Sequence, residues 1–108
     1  MRISVCHCLD CQRRTGSAFG AAAFFPREQV VVAGQSKSFE RSSDSGAVVR
    51  FHFCPECGAS VHWERSTRSE IVGVALGAFA DPAFPAPDRE VYRERGHAWV
   101  KLDLPIQE

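Results

Sequence analysis

The sequence predicts a small all-β fold that binds zinc, with one short helical turn after the first of two cysteine clusters. Three observations lead to this prediction: clustered cysteines, short segments rich in Val and Phe, and frequent turn residues between those segments. The 108 residues are 44% hydrophobic and 24% charged, as in an ordinary globular domain, so we expect a single domain over residues 1–108.

The charge and hydropathy of the chain exclude several classes of partner. Thirteen basic residues balance thirteen acidic ones, so the net charge gives no long-range attraction for nucleic acid or an anionic membrane. No apolar run approaches the roughly 18 residues that a membrane-spanning helix needs, and residues 1–5 contain no signal-type apolar stretch. We therefore expect a cytoplasmic protein with no nucleic-acid or membrane partner.

The five cysteines fall into two tight clusters, and this spacing predicts zinc ligands. Without a secretory signal, an odd number of cysteines argues against a disulfide framework. A Cys-x-x-Cys turn lets two thiolates converge on one zinc ion at a Zn–S distance of about 2.3 Å. A Cys-x-Cys segment, when extended, places both side chains on one face. We predict that Cys6, Cys8 and Cys11 offer three thiolates to one zinc at the end of a strand, and that Cys54 and Cys57 offer two more. A redox Cys-x-x-Cys pair without metal is the alternative.

The remaining elements are predicted in chain order from turn residues and alternation. A helical turn over residues 11–16 ends at Gly16 as its C-cap. Strands are predicted at residues 21–25, 29–33, 38–41, 48–53, 60–64, 70–76, 90–94 and 98–102. Apolar residues at 49, 51 and 53 alternate with polar ones, so this strand is half-buried and carries Cys54 at its end. The Cys54–Cys57 knuckle, followed by Gly58, would then be the turn of a β-hairpin.

The motifs taken together resemble one protein family over nearly the whole chain. They are Cys6-His7-Cys8-x-x-Cys11-Gln12-Arg13-Arg14-Thr15-Gly16-Ser17-Ala18-Phe19, Phe51-His52-Phe53-Cys54-Pro55-x-Cys57-Gly58, Gly77-Ala78-Phe79-Ala80-Asp81-Pro82 and His97-Ala98-Trp99-Val100. This set resembles the glutathione-dependent formaldehyde-activating enzyme family, also called the centromere-protein-V-like domain. The resemblance implies a β-tent (Mss4-like) fold with two zinc sites and carbon–sulfur lyase chemistry on an adduct of glutathione and an aldehyde.

The resemblance also implies roles for the cysteines. It makes Cys6, Cys8 and Cys11 ligands of a catalytic zinc, and Cys54 and Cys57 ligands of a structural zinc. In the family that second site is closed by an earlier Cys-x-Cys-Gly hairpin, which this sequence lacks, so we expect a form truncated at its N-terminus.

Because the Cys-x-Cys-Gly hairpin is missing, Cys54 and Cys57 need other ligands, and several alternatives are open. The pair could recruit His52, His62 or a second chain, or Cys8 and Cys11 could join Cys54 and Cys57 around one closed zinc. We therefore expect one or two Zn²⁺ per chain. A missing hairpin would expose a sheet edge, which predicts a homodimer.

The chemistry of the triplet leads to two hypotheses of function. A zinc with three protein ligands keeps its fourth position open, and a thiol such as glutathione would lose its proton there. Arg13 and Arg14 follow the triplet and could bind the carboxylates of glutathione, although a solvated helix face would have the same sequence. The rival hypothesis is a non-enzymatic zinc module that binds a protein partner. His7, between two ligands of an extended segment, should point away from the zinc.

Overall fold

The computed structural model describes residues 1–43 and 45–106, and within them the chain is mostly β. Strands β1 to β7 span Arg2–Cys6, Gly20–Pro26, Lys37–Ser42, Val48–Phe53, Ser60–Arg65, Ile71–Ala75 and Arg89–Val91, and helix α1 spans Leu9–Thr15. Short 3-10 turns cover Arg27–Gln29, Leu76–Phe79 and Arg93–Arg95. The strands form one sheet in the order β3-β4-β5-β6-β2-β1-β7. The predicted all-β fold with one short helix is confirmed, and the helix starts at Leu9, inside the first cysteine cluster rather than after it.

An aromatic core lies on one face of this sheet. Phe51 and Trp63 pair across β4 and β5, with ring centroids 5.6 Å apart, and Phe24 meets the indole edge-on at 6.5 Å. Gly73 pairs with Trp63 from β6, and a Cβ built on it would lie 2.4 Å from the indole Nε1. The indole can lie against β6 only because this position has no side chain.

Helix α1 covers the same face and is closed at both ends by local chemistry. Cys8 is its N-cap, and Gly16 ends it in the left-handed conformation with φ 66°. The guanidinium of Arg14 lies 4.4 Å from the centre of the Trp63 ring, a cation–π contact that seats the helix on the core. The N-terminal end of α1 lies beside the end of β1 because only His7 and Cys8 separate the two elements.

The central strands are buried on their opposite face as well. Ile3 of β1 pairs with Ala23 of β2, and both side chains are 3% exposed or less. Val5 and Val72 on β1 and β6 are equally buried. Strands β1, β2 and β6 therefore form a rigid centre, and the edges are β3 on one side and β7 on the other.

Two predicted strands are wrong. Residues 30–36 connect a 3-10 turn to β3, and Val31 and Val32 in this segment are 92% and 59% exposed. Residues 98–102 form no strand either, and Trp99 is 73% exposed. Both segments have the β-branched and aromatic residues of a strand, but such residues form a strand only where a partner edge pairs with them.

Candidate metal centre

The first cysteine cluster lies where β1 ends and α1 begins. Cys6 is the last residue of β1, Cys8 caps the helix, and Cys11 lies in its first turn. The three Sγ atoms all lie within 4.8 Å of one another, and the three residues are half-buried free thiols. The backbone N–H of Cys11 donates to Sγ of Cys8 at 3.4 Å, which fixes one thiol against the helix. A strand end and a helix N-terminus therefore bring three sulfur atoms to one point.

This sulfur set fits a zinc ion. A tetrahedral shell with Zn–S of about 2.3 Å requires S···S separations of about 3.8 Å, within the limit that the three thiols satisfy. Thiolates are the soft ligands that select Zn²⁺, Cu⁺ or iron–sulfur clusters over Mg²⁺ or Ca²⁺. Three sulfur ligands leave one position of a tetrahedral ion for a fourth ligand.

The thiols of Cys6 and Cys11 share a hydrogen bond that shifts the pKa of both. The hydrogen bond from Cys6 lowers the pKa of the Cys11 thiol to about 6, and the thiol of Cys8 and the guanidinium of Arg14 act in the same direction. Burial opposes this shift. The same Cys6–Cys11 hydrogen bond, together with burial, raises the pKa of Cys6 well above its ordinary value. The shared hydrogen bond therefore favours one thiolate within the Cys6–Cys11 pair, and Arg14 stabilises that charge.

Arg13 and Arg14, which follow the cysteine triplet, have different surroundings in the structure. Arg14 is half-buried and lines an open groove of about 420 Å³, together with Thr15, Ala21, Gly58, Ala59, Ser60, Ala75, Gly77 and Ala78. Arg13 is 74% exposed and lies 3.4 Å from the carboxylate of Asp10. Only Arg14 thus faces both a thiol of the cluster and a groove.

The second cysteine pair lies in the turn between β4 and β5, and the predicted hairpin is confirmed. The N–H of Cys54 donates to the carbonyl of Ala59, the N–H of Gly58 donates to the carbonyl of Cys54, and Gly58 adopts φ 77°. Hydrogen bonds from the backbone of Cys57 and Glu56 lower the pKa of the Cys54 thiol.

Within residues 1–43 and 45–106, Cys54 and Cys57 join no group of three or more potential metal donors. The structure therefore does not bring Cys8 and Cys11 together with this pair, and it does not add His52 or His62 to it. The two cysteine clusters are separate donor sets in the chain.

His7 points away from the thiols, as its place in an extended segment predicts. Its side chain is 4% exposed, and its Nε2 lies 2.5 Å from a carboxylate oxygen of Glu90 on β7. Its backbone N–H donates to the carbonyl of Val91. His7 thus fastens the cysteine loop to the edge strand rather than adding a ligand to the cluster.

A further donor cluster, formed by His52, His62 and Glu64, was missed by sequence reasoning. Their donor atoms lie within 4.8 Å of one another. The two imidazole rings are stacked 4.4 Å apart, and Nε2 of His52 lies 2.9 Å from the Glu64 carboxylate. Burial and the neighbouring His52 lower the pKa of His62. The His-x-Glu alternation on β5 was the available signal, but linking it to His52 requires the strand register.

Comparison with protein families finds a match over residues 1–95 to the family described as glutathione-dependent formaldehyde-activating enzyme. A search of curated proteins finds no match. The matched range contains both cysteine clusters, the whole sheet and α1, so the resemblance predicted from the motifs is confirmed. Within the described residues, no helix is long and apolar enough to cross a membrane.

Proposed function

The chain belongs to the glutathione-dependent formaldehyde-activating enzyme family, and from this premise we propose that it is a zinc-dependent carbon–sulfur lyase acting on the adduct of glutathione and formaldehyde. The observation that carries the proposal is the convergence of Cys6, Cys8 and Cys11, with Arg14, which acts on the Cys11 thiol, also lining an open groove. A site with three protein thiols leaves one position of a tetrahedral ion for a small thiol substrate.

The reaction needs only the substrates and a proton transfer. The glutathione sulfur attacks the carbonyl carbon of formaldehyde, a C–S bond forms, and the π electrons of the C=O bond move to oxygen. The proton lost by the thiol ends on that oxygen, giving the S-hydroxymethyl adduct, and the reverse reaction releases both substrates. A zinc ion held by the three cysteines would lower the pKa of a thiol that reaches it.

The residues of the chain would hold and orient the substrates. Arg14 of α1 lines the groove, and its guanidinium suits a carboxylate of glutathione. Its stacking on Trp63 fixes that guanidinium, so little side-chain freedom is lost when an anion binds. We propose Cys54 and Cys57 as ligands of a second, structural zinc. Its other ligands would come from residues outside the Cys6–Cys8–Cys11 group and the His52–His62–Glu64 group.

The proposal is tested by the rate at which the zinc-loaded chain equilibrates glutathione with ¹³C-formaldehyde, measured by exchange NMR. We expect acceleration over the spontaneous reaction, which Cys11→Ser abolishes together with one zinc per chain in native mass spectra. Arg13→Ala, a change to an exposed side chain, should keep both the rate and the zinc. A folded, zinc-loaded chain that leaves the rate at the spontaneous value would refute the lyase and favour the protein-binding module.

A further inference from the structure

We propose that His52, His62 and Glu64 form a separate binding site for a divalent transition metal, independent of the cysteine cluster and of the proposed lyase activity. Four features of the structure support this site: the register of β4 and β5, the sheet face involved, the chemistry of the donors, and the support of the carboxylate by Arg27.

The strand register brings the two histidines together. Phe53 pairs with Ser60, but the pairing shifts by one residue, so that His52 pairs with His62. The extra residue in β5 is Val61. Side chains alternate along a strand, so this bulge turns both imidazoles to one face, and Glu64 follows two residues later on that face. A hairpin without the bulge would leave His62 on the face opposite to His52.

The cluster lies on the sheet face that α1 does not cover. Trp63 stands between His62 and Glu64 in β5, so it points to the other face, where Arg14 of α1 stacks on it. Cys8 and Cys11 belong to α1 and its cap. The three donors therefore cannot supply ligands to the ion of the cysteine cluster, and any metal they bind is a separate one.

The donor set suits a borderline metal ion. Two imidazoles and one carboxylate are ligands for Zn²⁺, Ni²⁺, Cu²⁺ or Co²⁺, with water in the remaining positions. The His52 and Glu64 side chains are 19% and 25% exposed, so an ion can reach them from solvent. The hydrogen bond between His52 and Glu64 would by itself explain why these two residues lie together, without any metal. The parallel stacking of His62 at 4.4 Å adds a second imidazole that this pair does not need.

Arg27 supports the carboxylate from the far side. Its guanidinium nitrogen lies 3.9 Å from Oε2 of Glu64, whereas Oε1 is the atom 2.9 Å from His52. One oxygen thus faces the guanidinium of Arg27 in a long ion pair, and the other faces the imidazole of His52. Such outer contacts orient ligating carboxylates in metal sites.

The test uses the full chain given no more zinc than the thiol sites retain against a weak chelator, so that the thiols are filled and His52, His62 and Glu64 are free before Ni²⁺ is added. We expect calorimetry and native mass spectrometry to show one Ni²⁺ bound with the cysteine-held zinc retained. His62→Asn and Glu64→Gln should each weaken nickel binding at least tenfold, because each removes one of three ligands. His97→Asn is the matched control, since His97 lies on the C-terminal segment beside Gln12 and Trp99. It should leave nickel binding unchanged.

A second readout needs no variant. Ni²⁺ is paramagnetic, so the ring signals of His52 and His62 should broaden in NMR spectra before those of His97. Unchanged nickel affinity in both His62→Asn and Glu64→Gln, or broadening that begins at His97, would overturn the site. Absence of any nickel binding to the wild-type chain would overturn it as well.

Discussion

Arg13 and Arg14 are chemically identical neighbours whose surroundings predict different effects on substitution. Arg14 faces the groove and a cysteine thiol, whereas Arg13 lies in solvent beside Asp10. A hydrogen bond to a charged group contributes about 1.5–3 kcal/mol, so we expect Arg14→Gln to raise the KM for glutathione about tenfold or more. Arg13→Gln should change it less than about twofold, as exposed ion pairs contribute little. Exchange NMR at varied glutathione measures both values.

The melting temperature of each variant separates substrate binding from packing. Arg14→Gln also loses the stacking on Trp63, so its rate is compared at a temperature where the zinc-loaded variant is fully folded. Equal KM values for the two variants would contradict the role proposed for Arg14.

Gly73 is predicted to tolerate no side chain. A Cβ at this position would lie 2.4 Å from Nε1 and 2.7 Å from Cε2 of Trp63, whose ring is confined by Phe24 and Phe51. Overpacking of this kind costs about 1–3 kcal/mol. We expect Gly73→Ala to lower the free energy of unfolding by that amount in urea titrations of the zinc-loaded chain. Gly77→Ala is the control, because no atom lies within 4 Å of its Cβ position. Equal stabilities of the two variants would show that the indole can move.

At the scale of elements, the sequence predicts correctly those turns and helix ends that are determined by residues close together in the chain. The knuckle of Cys54 and Cys57 and the end of α1 at Gly16 were predicted because a turn spacing and a single glycine determine them. The strands predicted at 29–33 and 98–102 were wrong because pairing depends on which edge is available, a non-local property. The His52–His62–Glu64 cluster was missed for a related reason: a one-residue bulge decides which side chains share a face.

The edge strand β3 is the element for which the predicted homodimer can be tested. Among the residues that the structure describes, it pairs with β4 alone, and Phe39 on it is 62% exposed. An exposed edge that carries an aromatic side chain is a template for pairing with a second copy. We expect light scattering after size-exclusion chromatography to show a mass that rises with concentration towards a dimer. Phe39→Lys should return the chain to a monomer, because it replaces the exposed aromatic side chain that a second copy would cover with a charged one.

Val31→Lys is the matched control for the edge strand. Val31 is 92% exposed but lies outside the sheet, so its change should leave self-association as it is. A monomeric mass for the unaltered chain at every concentration would contradict the dimer. Loss of association in Val31→Lys would show that the dimer contact lies outside β3.

At the scale of the whole molecule, the proposed zinc connects helix α1, which has little stability of its own, to the buried strands of the sheet. Strands β1, β2 and β6 are buried on both faces, whereas α1 has seven residues, none of them buried. Isolated helices of this length are unstable in water. The cysteine cluster joins α1 to the end of β1, so a bound ion would act as a cross-link between the weak element and the rigid centre.

Removal of zinc should therefore lower stability, and do so first in α1. An ion at a thousandfold excess over its Kd adds about 4 kcal/mol, which for a domain of this size corresponds to a Tm change on the order of 15 °C. Hydrogen exchange after chelation should show loss of protection at the amides of Gln12 and Gly16, which donate to carbonyls within α1 and its cap. Amides between β2 and β6 should stay protected, because apolar packing rather than the ion holds them. Cys11→Ser should already show this pattern and respond little to the chelator. Simultaneous loss of protection in α1 and in the β2–β6 pair would mean that the ion supports the whole fold rather than the helix alone.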